Sequence, residues 1–413
     1  MPTQLNTPLT LPCGVTLKNR IAKGAMTEGV ANERNQATEE HVTLYSRWAE
    51  GGAGLLLTGN VQVDRRFLER PGNVAIDGNG GLEALAAYAE AGKVNDTQIW
   101  MQINHPGRQA GIGSEQFVGP SAIGMGGVVD AVRALEGSEI EDIQRRFIHV
   151  AEVAQQAGFT GVQVHAAHGY LMSQFLNPLA NQRTDKWGGS LENRARLLLD
   201  VVAGIRAKVG AEFPVSVKLN SSDFQKGGLT EEESCQVVTW LCESSLDLLE
   251  ISGGNYESQS MVGRAEDGER FNDRPKKAST IAREAYFLEF AARLRPLVSV
   301  PLMVTGGFRT RAAMDAALAG GEMDVVGLAR PLCVDPDVVN KLLAGTIDRL
   351  PSPDENAPID AGTGIAYYFN QVRTLAEGGE ADLEIDWAEQ VERLARIDGA
   401  QGERYLAAMS AVA

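Results

Sequence analysis

The chain alternates between two spacings of apolar residues. Eight short runs are almost continuously apolar: Arg20–Met26, Gly54–Asn60, Gln98–His105, Gly161–His168, Pro214–Ser221, Leu246–Gly254, Pro301–Gly307 and Met323–Arg330. Runs of this length suit strands buried on both faces, as in a parallel sheet. Between and after them the spacing turns helical, over Glu39–Gly51, Leu82–Val94, Glu139–Gly158, Asn193–Gly210, Glu231–Ser244, Ala282–Leu297, Arg311–Gly320 and Asp337–Ala344. Ser138, ahead of Ile140-Glu141, and Thr230, three residues before Glu233, are the expected helix N-caps, and Gly158 and Gly210 are placed to stop helices.

Eight βα units in one chain predict an α/β architecture, a (β/α)8 TIM barrel. A doubly wound open sheet is the rival, but it usually has fewer strands and a Gly-rich first turn. The barrel is expected over residues 1–346. Residues 347–413 form a C-terminal extension with helical spacing at Ile365–Ala376 and Ile385–Ile397, expected to pack on the barrel or at an oligomer interface. Two insertions follow strands: Arg108–Gly137 is rich in Gly and Asn255–Ser279 is rich in charge. Both are expected to be lids or substrate loops.

Composition narrows the partners. With 44% hydrophobic and 22% charged residues over 413 positions, the chain is not disordered. A net charge of −16 argues against nucleic acid and against an anionic membrane surface. Cys13, Cys235, Cys242 and Cys333 form no CxxC pair, which speaks against a disulfide framework, a structural zinc site or an iron–sulfur cluster. The start lacks the pattern of a signal peptide, and no run of about 20 apolar residues occurs. A cytoplasmic protein acting on a small molecule is expected.

In a barrel of this kind the strand ends carry the chemistry. Here they are polar throughout: Met26-Thr27, Gly59-Asn60, Gln102 to His105, His165 to His168, Lys218 to Asn220, Ser252 to Gly254, Thr305 to Gly307 and Ala329-Arg330. Two of the five histidines fall in the segment HAAHGY, His165 to Tyr170. Both reach one pocket only if the strand ends near His168, because i and i+3 face opposite ways along a strand. Two imidazoles and a phenol then converge on one bound oxygen, the imidazoles donating hydrogen bonds and the phenol a proton. A metal-binding pair or ordinary core histidines are the alternatives, though no HExxH pattern or third ligand accompanies them.

Lys218 reads either as a Schiff-base nucleophile or as a fixed positive charge beside an anionic cofactor. The TGGF of Thr305–Phe308 and the GLAR of Gly327–Arg330 stand where barrels bind phosphate, with glycines permitting close backbone approach. The mononucleotide this implies is most simply FMN.

The same residues carry a resemblance. Gly24–Thr27, QINHPGRQ at Gln102–Gln109, the stretch Gly161–Arg194, SVKLNSSDF at Ser216–Phe224, Thr305–Gly307 and GLARPL at Gly327–Leu332 resemble the Old Yellow Enzyme family of FMN-dependent oxidoreductases. The resemblance covers residues 5–345 and matches the short form, without the clustered cysteines or second nucleotide-binding region of the longer branch. It implies that His165 and His168 hold the substrate's carbonyl or nitro oxygen and that Tyr170 protonates the α-carbon. It places Ala25, Met26, Thr27, Asn60 and Gln102 against the flavin ring, with Thr27 where many bacterial relatives have Cys. Lys218 falls where relatives often carry Arg, beside the reduced flavin's negative charge. Gly306, Gly307, Ala329 and Arg330 fall at the phosphate. The implied activity is reduction of an activated C=C bond with NADH or NADPH as reductant. The alternatives are a flavin-dependent oxidase or dehydrogenase of the same family and a Lys218 lyase. No metal is expected, and a homo-oligomer is compatible with the tail and insertions.

Overall fold

The computed structural model describes residues 4–125, 131–254, 287–354, 361–384 and 386–411. Eight parallel strands close into a barrel: β1 (Ile21–Lys23), β2 (Leu55–Gln62), β3 (Gln98–Asn104), β4 (Gly161–Ala166), β5 (Val215–Asn220), β6 (Leu248–Ser252), β7 (Leu302–Thr305) and β8 (Val325–Leu328). They stand around the barrel in chain order, and β8 pairs back with β1. The helices are α1 (Glu39–Glu50), α2 (Leu82–Ala91), α3 (Gly137–Gln156), α4 (Leu171–Leu176), α5 (Leu191–Val209), α6 (Glu231–Glu243), α7 (Leu288–Leu294), α8 (Arg311–Ala319), α9 (Arg330–Val334), α10 (Val338–Ala344), α11 (Ala361–Ala376) and α12 (Trp387–Ser410).

Thr230 caps α6 as expected: its hydroxyl accepts from the Glu233 N–H, and the Glu233 carboxylate accepts from the Thr230 N–H. At α3 the expected cap is corrected. Ser138 lies inside the helix, and Glu136 is the N-cap, in a capping box with Glu139. Arg133 holds the Glu139 carboxylate at 2.7 and 2.8 Å while that carboxylate accepts from the Glu136 N–H. An acidic pair at a helix N-terminus is favoured by the macrodipole.

The barrel interior is graded along the strands. Side chains alternate in a strand, so Trp100 and Gln102 share a face, as do Leu248 and Glu250, Met303 and Thr305, and Val325 and Gly327. At the bottom, Ala22, Leu55, Leu57, Trp100, Leu248, Met303 and Val325 form one apolar cluster. Leu11 and Leu17 join it from a hairpin that pairs Leu9–Thr10 with Thr16–Leu17. One residue pair higher the same faces turn polar. Register sets Gln163 beside Gln102, and Lys218 beside both His165 and Glu250. The helices cover the outer face, where most of the apolar core lies.

The extension lies across the rim at which β1 and β2 end. The Arg373 guanidinium and the Gln401 side chain both donate to the carbonyl of Gly29, and the Tyr405 hydroxyl donates to that of Arg65. Arg70 is ion-paired with Asp398 of α12 and stacks 3.9 Å from the ring centroid of Phe369 of α11. The tail's second helix runs thirteen residues beyond its expected end at Ile397, to Ser410. Of the first insertion, Ile112–Gly113 pairs with Phe67–Leu68, and Val118–Gly119 with Arg133–Ala134. Residues Asn255–Ser279 lie outside the described residues.

Candidate active site

A cavity of about 330 Å³ opens at the C-terminal ends of the strands. Ala25, Met26 and Thr27 reach it from the loop after β1, Asn60 from β2 and Gln102 from β3. His165 comes from β4, with His168 and Tyr170 just beyond it, Lys218 from β5, and Ala329 and Arg330 from the end of β8. Of the residues that the resemblance assigned to substrate or cofactor, Gly306 and Gly307 are not in this lining. The described part of the first insertion does not line it either.

The HAAHGY segment shows how the backbone gathers the histidines. β4 ends at Ala166, and His168 and Gly169 follow in the left-handed region, with φ of +62° and +77°. The reversal brings the His168 ring centroid to 5.1 Å from that of His165, with Tyr170 at 4.9 Å from His165 on another side. A left-handed non-glycine residue is costly, and the surroundings hold it. The Asn220 side-chain oxygen accepts from the His168 N–H at 3.1 Å, and the Gln109 amide donates to the His168 carbonyl at 2.9 Å.

Both imidazoles are neutral at neutral pH. Burial, then the positive charge of Lys218, holds each well below the usual histidine range. His165 Nδ1 accepts from the Ala167 N–H at 3.3 Å, so the ring proton sits on Nε2. His168 Nε2 is 2.6 Å from the Ser252 hydroxyl.

Below them a polar chain crosses the barrel. Gln102 Nε2 donates to Gln163 Oε1 at 2.8 Å, and Gln163 Nε2 donates to Glu250 Oε2 at 2.9 Å. Lys218 Nζ is ion-paired with Glu250 Oε1 at 3.1 Å. A nucleophilic lysine must be a neutral amine. An ammonium paired with a fully buried carboxylate acts as a fixed charge instead.

At the rim, Thr27 donates to Asn60 Oδ1 at 2.8 Å, with Glu69 Oε2 at 3.2 Å from the same hydroxyl. A register shift in the β2–β3 pairing, between Leu57 and Asn60, sets Asn60 opposite Gln102. Glu69 lines the cavity and its carboxyl is pushed up by burial. Sequence reasoning missed Glu69, Cys333 and four residues of α11: Ile365, Tyr368, Phe369 and Val372. The i, i+3, i+4, i+7 spacing of those four was a visible signal, but only of an apolar helix face.

The donor set fits FMN. An ammonium and a carboxamide lie on the floor, and a guanidinium and two positive-φ glycines lie where β8 and β7 end. The Thr305 hydroxyl there is buried without a partner among the described residues. Gly306 and Gly307 follow it at φ of +106° and +90°, and nothing stands within 4 Å of the position a Gly306 Cβ would take. Arg330 is ion-paired with Asp354 at 2.9 Å. Among the described residues no group of three or more His, Cys, Asp or Glu side chains is placed to hold a metal ion, and no helix is long and apolar enough to cross a membrane.

Comparison with known proteins identifies the family. The model of the NADH:flavin oxidoreductase / NADH oxidase family matches residues 4–348. The chain is 39% identical over 375 residues to the NADH-dependent flavin oxidoreductase iliE of Neonectria sp. (strain DH2), covering 85% of this chain and 48% of that protein. It is 36% identical over 357 residues to iliE of Hypocrea jecorina (strain QM6a), covering 80% of this chain and 86% of that protein. The chain thus spans about half the length of the first relative and most of the second. The old yellow enzyme homologue from Zymomonas mobilis superposes with a TM-score of 0.69 at 26% identity, covering 84% of this chain and 94% of that one. With barrel and family match in agreement, the chain belongs to the NADH:flavin oxidoreductase / NADH oxidase family, of the Old Yellow Enzyme type, with FMN as cofactor.

Proposed function

We propose that this chain is an ene reductase, reducing the activated C=C bond of α,β-unsaturated carbonyl or nitro compounds at the expense of NADH, or of NADPH in its place. The observation that carries the reading is the convergence of two neutral imidazoles and a phenol on one cavity. A neutral imidazole donates a hydrogen bond without adding charge, so it polarises a carbonyl or nitro oxygen while leaving it a weak base. His165 donates from Nε2. His168, braced by Ser252 at 2.6 Å, takes the same oxygen from a second direction. Polarisation draws electron density from the β-carbon, and bound FMN supplies the hydride that this carbon accepts. Tyr170, beside His165, delivers the proton to the α-carbon.

On the cofactor side, Lys218 places a positive charge at the floor, where Gln102 presents its carboxamide. Thr27 and Asn60, a hydrogen-bonded pair, would hold the flavin ring together with Ala25 and Met26. Ala329 and Arg330, with Gly306 and Gly307 at the neighbouring strand end, would hold the phosphate.

The test is an anaerobic spectrum of the purified protein loaded with FMN. A flavin band near about 450 nm should bleach with NADH or NADPH and return on adding cyclohexenone. A band that bleaches and returns with oxygen but not with any enone would replace this reading by that of an oxidase or dehydrogenase.

A further inference from the structure

Four side chains of the cavity come from outside the stretch that the family model matches, which ends at residue 348. They are Ile365, Tyr368, Phe369 and Val372, at i, i+3, i+4 and i+7 on one face of α11. That spacing makes a continuous apolar stripe about two turns long. The stripe is fixed rather than loosely laid. The Tyr368 hydroxyl donates to Asp354 at 2.6 Å, and Arg70 stacks on Phe369 while paired with Asp398. The Arg373 guanidinium, one residue past Val372, ties the helix to Gly29.

Ile365 differs from its companions. Tyr368 and Val372 are buried, whereas Ile365 is 41% exposed and still lines the cavity. It offers apolar surface at the mouth. The carboxyl on this side, Glu69, is occupied with Thr27 and Asn73, at 3.2 and 3.3 Å, so it does not oppose the apolar character of the wall.

We propose that α11 is a substrate-selecting wall, and that it favours neutral unsaturated ketones or aldehydes that carry an aromatic or similarly bulky apolar group beyond the reacting C=C bond. The proposal rests on the reading of the cavity as an enone site. An apolar pocket rewards added apolar area, and a change of a methylene or two at its wall shifts specificity about tenfold to two-hundredfold. The cation beside the stripe, Arg330, 5.6 Å from the Tyr368 ring centroid, is paired with Asp354, so a charged substituent would lose its water here against a stripe whose neighbouring charge is already matched.

The experiment uses the FMN-loaded full chain and two ligand pairs that differ only by phenyl for methyl. Calorimetry gives the affinities of 4-phenylbutan-2-one and pentan-2-one, which have no C=C bond to reduce. Steady-state kinetics gives kcat/KM for 4-phenylbut-3-en-2-one and pent-3-en-2-one. The wild type should prefer the phenyl compound in both assays. Ile365→Ala should cut the preference about tenfold and Ile365→Glu further, and the exposed position spares the core in both variants. A wild type without preference, or variants with the wild-type preference, would overturn the wall. If the binding preference falls as expected but neither enone reoxidises the flavin, the wall stands and the ene-reductase reading fails.

Discussion

The ion pair between Lys218 and Glu250 makes a sharp prediction, because both partners are buried and both sit in the floor of the site. Glu250 is fully buried and Lys218 is 5% exposed, with 3.1 Å between their charged atoms. Replacing Lys218 by Met leaves a carboxylate inside the barrel whose remaining partner among the described residues is the Gln163 amide, at 2.9 Å. Removing one member of a buried pair costs about 3–5 kcal/mol, whereas replacing both by neutral groups of similar shape is close to neutral. Lys218→Met and Glu250→Gln should therefore each destabilise the apoprotein by about 3–5 kcal/mol in urea unfolding, with the double variant within about 1 kcal/mol of wild type. The gap between the double variant and the sum of the singles is the coupling energy of the pair. FMN affinity should behave differently. The double variant recovers its fold but lacks the positive charge proposed to meet the flavin, and loss of a charge-assisted contact worth about 1.5–3 kcal/mol should weaken FMN binding at least about tenfold. Single variants that each lose less than about 1 kcal/mol, or a double variant whose loss equals the sum, would refute the reasoning. A double variant with wild-type FMN affinity would refute the placement of Lys218 beside the ring.

Other outcomes follow from the site. Tyr170→Phe should slow enone-driven reoxidation by about 10²–10⁴-fold in stopped-flow while leaving NADH-driven bleaching near wild type, since a general acid acts in the second half-reaction alone. Ser252→Ala removes the hydroxyl 2.6 Å from His168 Nε2, and should raise KM for enones severalfold with a smaller change in kcat. The pH profile of stability has a determined sign. Burial lowers His105 to about 4, so the folded state binds fewer protons than the unfolded chain below the ordinary histidine range. Its contribution is fully present above about pH 6.5 and is lost as pH falls from 6.5 towards 4, by about 3 kcal/mol in total. His165 and His168 act in the same direction. Urea unfolding from pH 7 to 4.5 should show a smaller loss for His105→Asn than for wild type, and parallel curves would contradict the assigned cause.

Much of the site was legible because it follows the strand ends. Once the runs were assigned to strands, Thr27, Asn60, Gln102, His165, Lys218 and Ala329 fell at or just past their ends, and the barrel brings all six to one cavity. What could not be read was the face each residue takes. Gln163 and Glu250 sit inside apolar runs and look like strand interior, yet alternation turns them into the barrel, where they link Gln102 to Lys218. His168 needed a left-handed backbone at a non-glycine position, which no local pattern announces. Ser138 looked like a better cap than Glu136, and the decision came from Arg133, which holds Glu139 in place.

The sequence by itself determined the barrel. Eight βα units, each with an apolar strand run, have few ways to bury those runs, and a closed parallel sheet buries them all. It also determined which residue types meet at the barrel mouth, because that follows from strand order and strand ends. Tertiary structure alone decided what completes the pocket. Ile365, Tyr368, Phe369 and Val372 lie about 200 residues beyond His165 and read as an ordinary amphipathic face. They become part of the site because Arg70 and Gly29, on loops far away in sequence, and Asp354, shortly before α11, hold that helix over the rim. Helical spacing specifies that a face must be covered, and the three-dimensional placement of its anchors specifies what covers it.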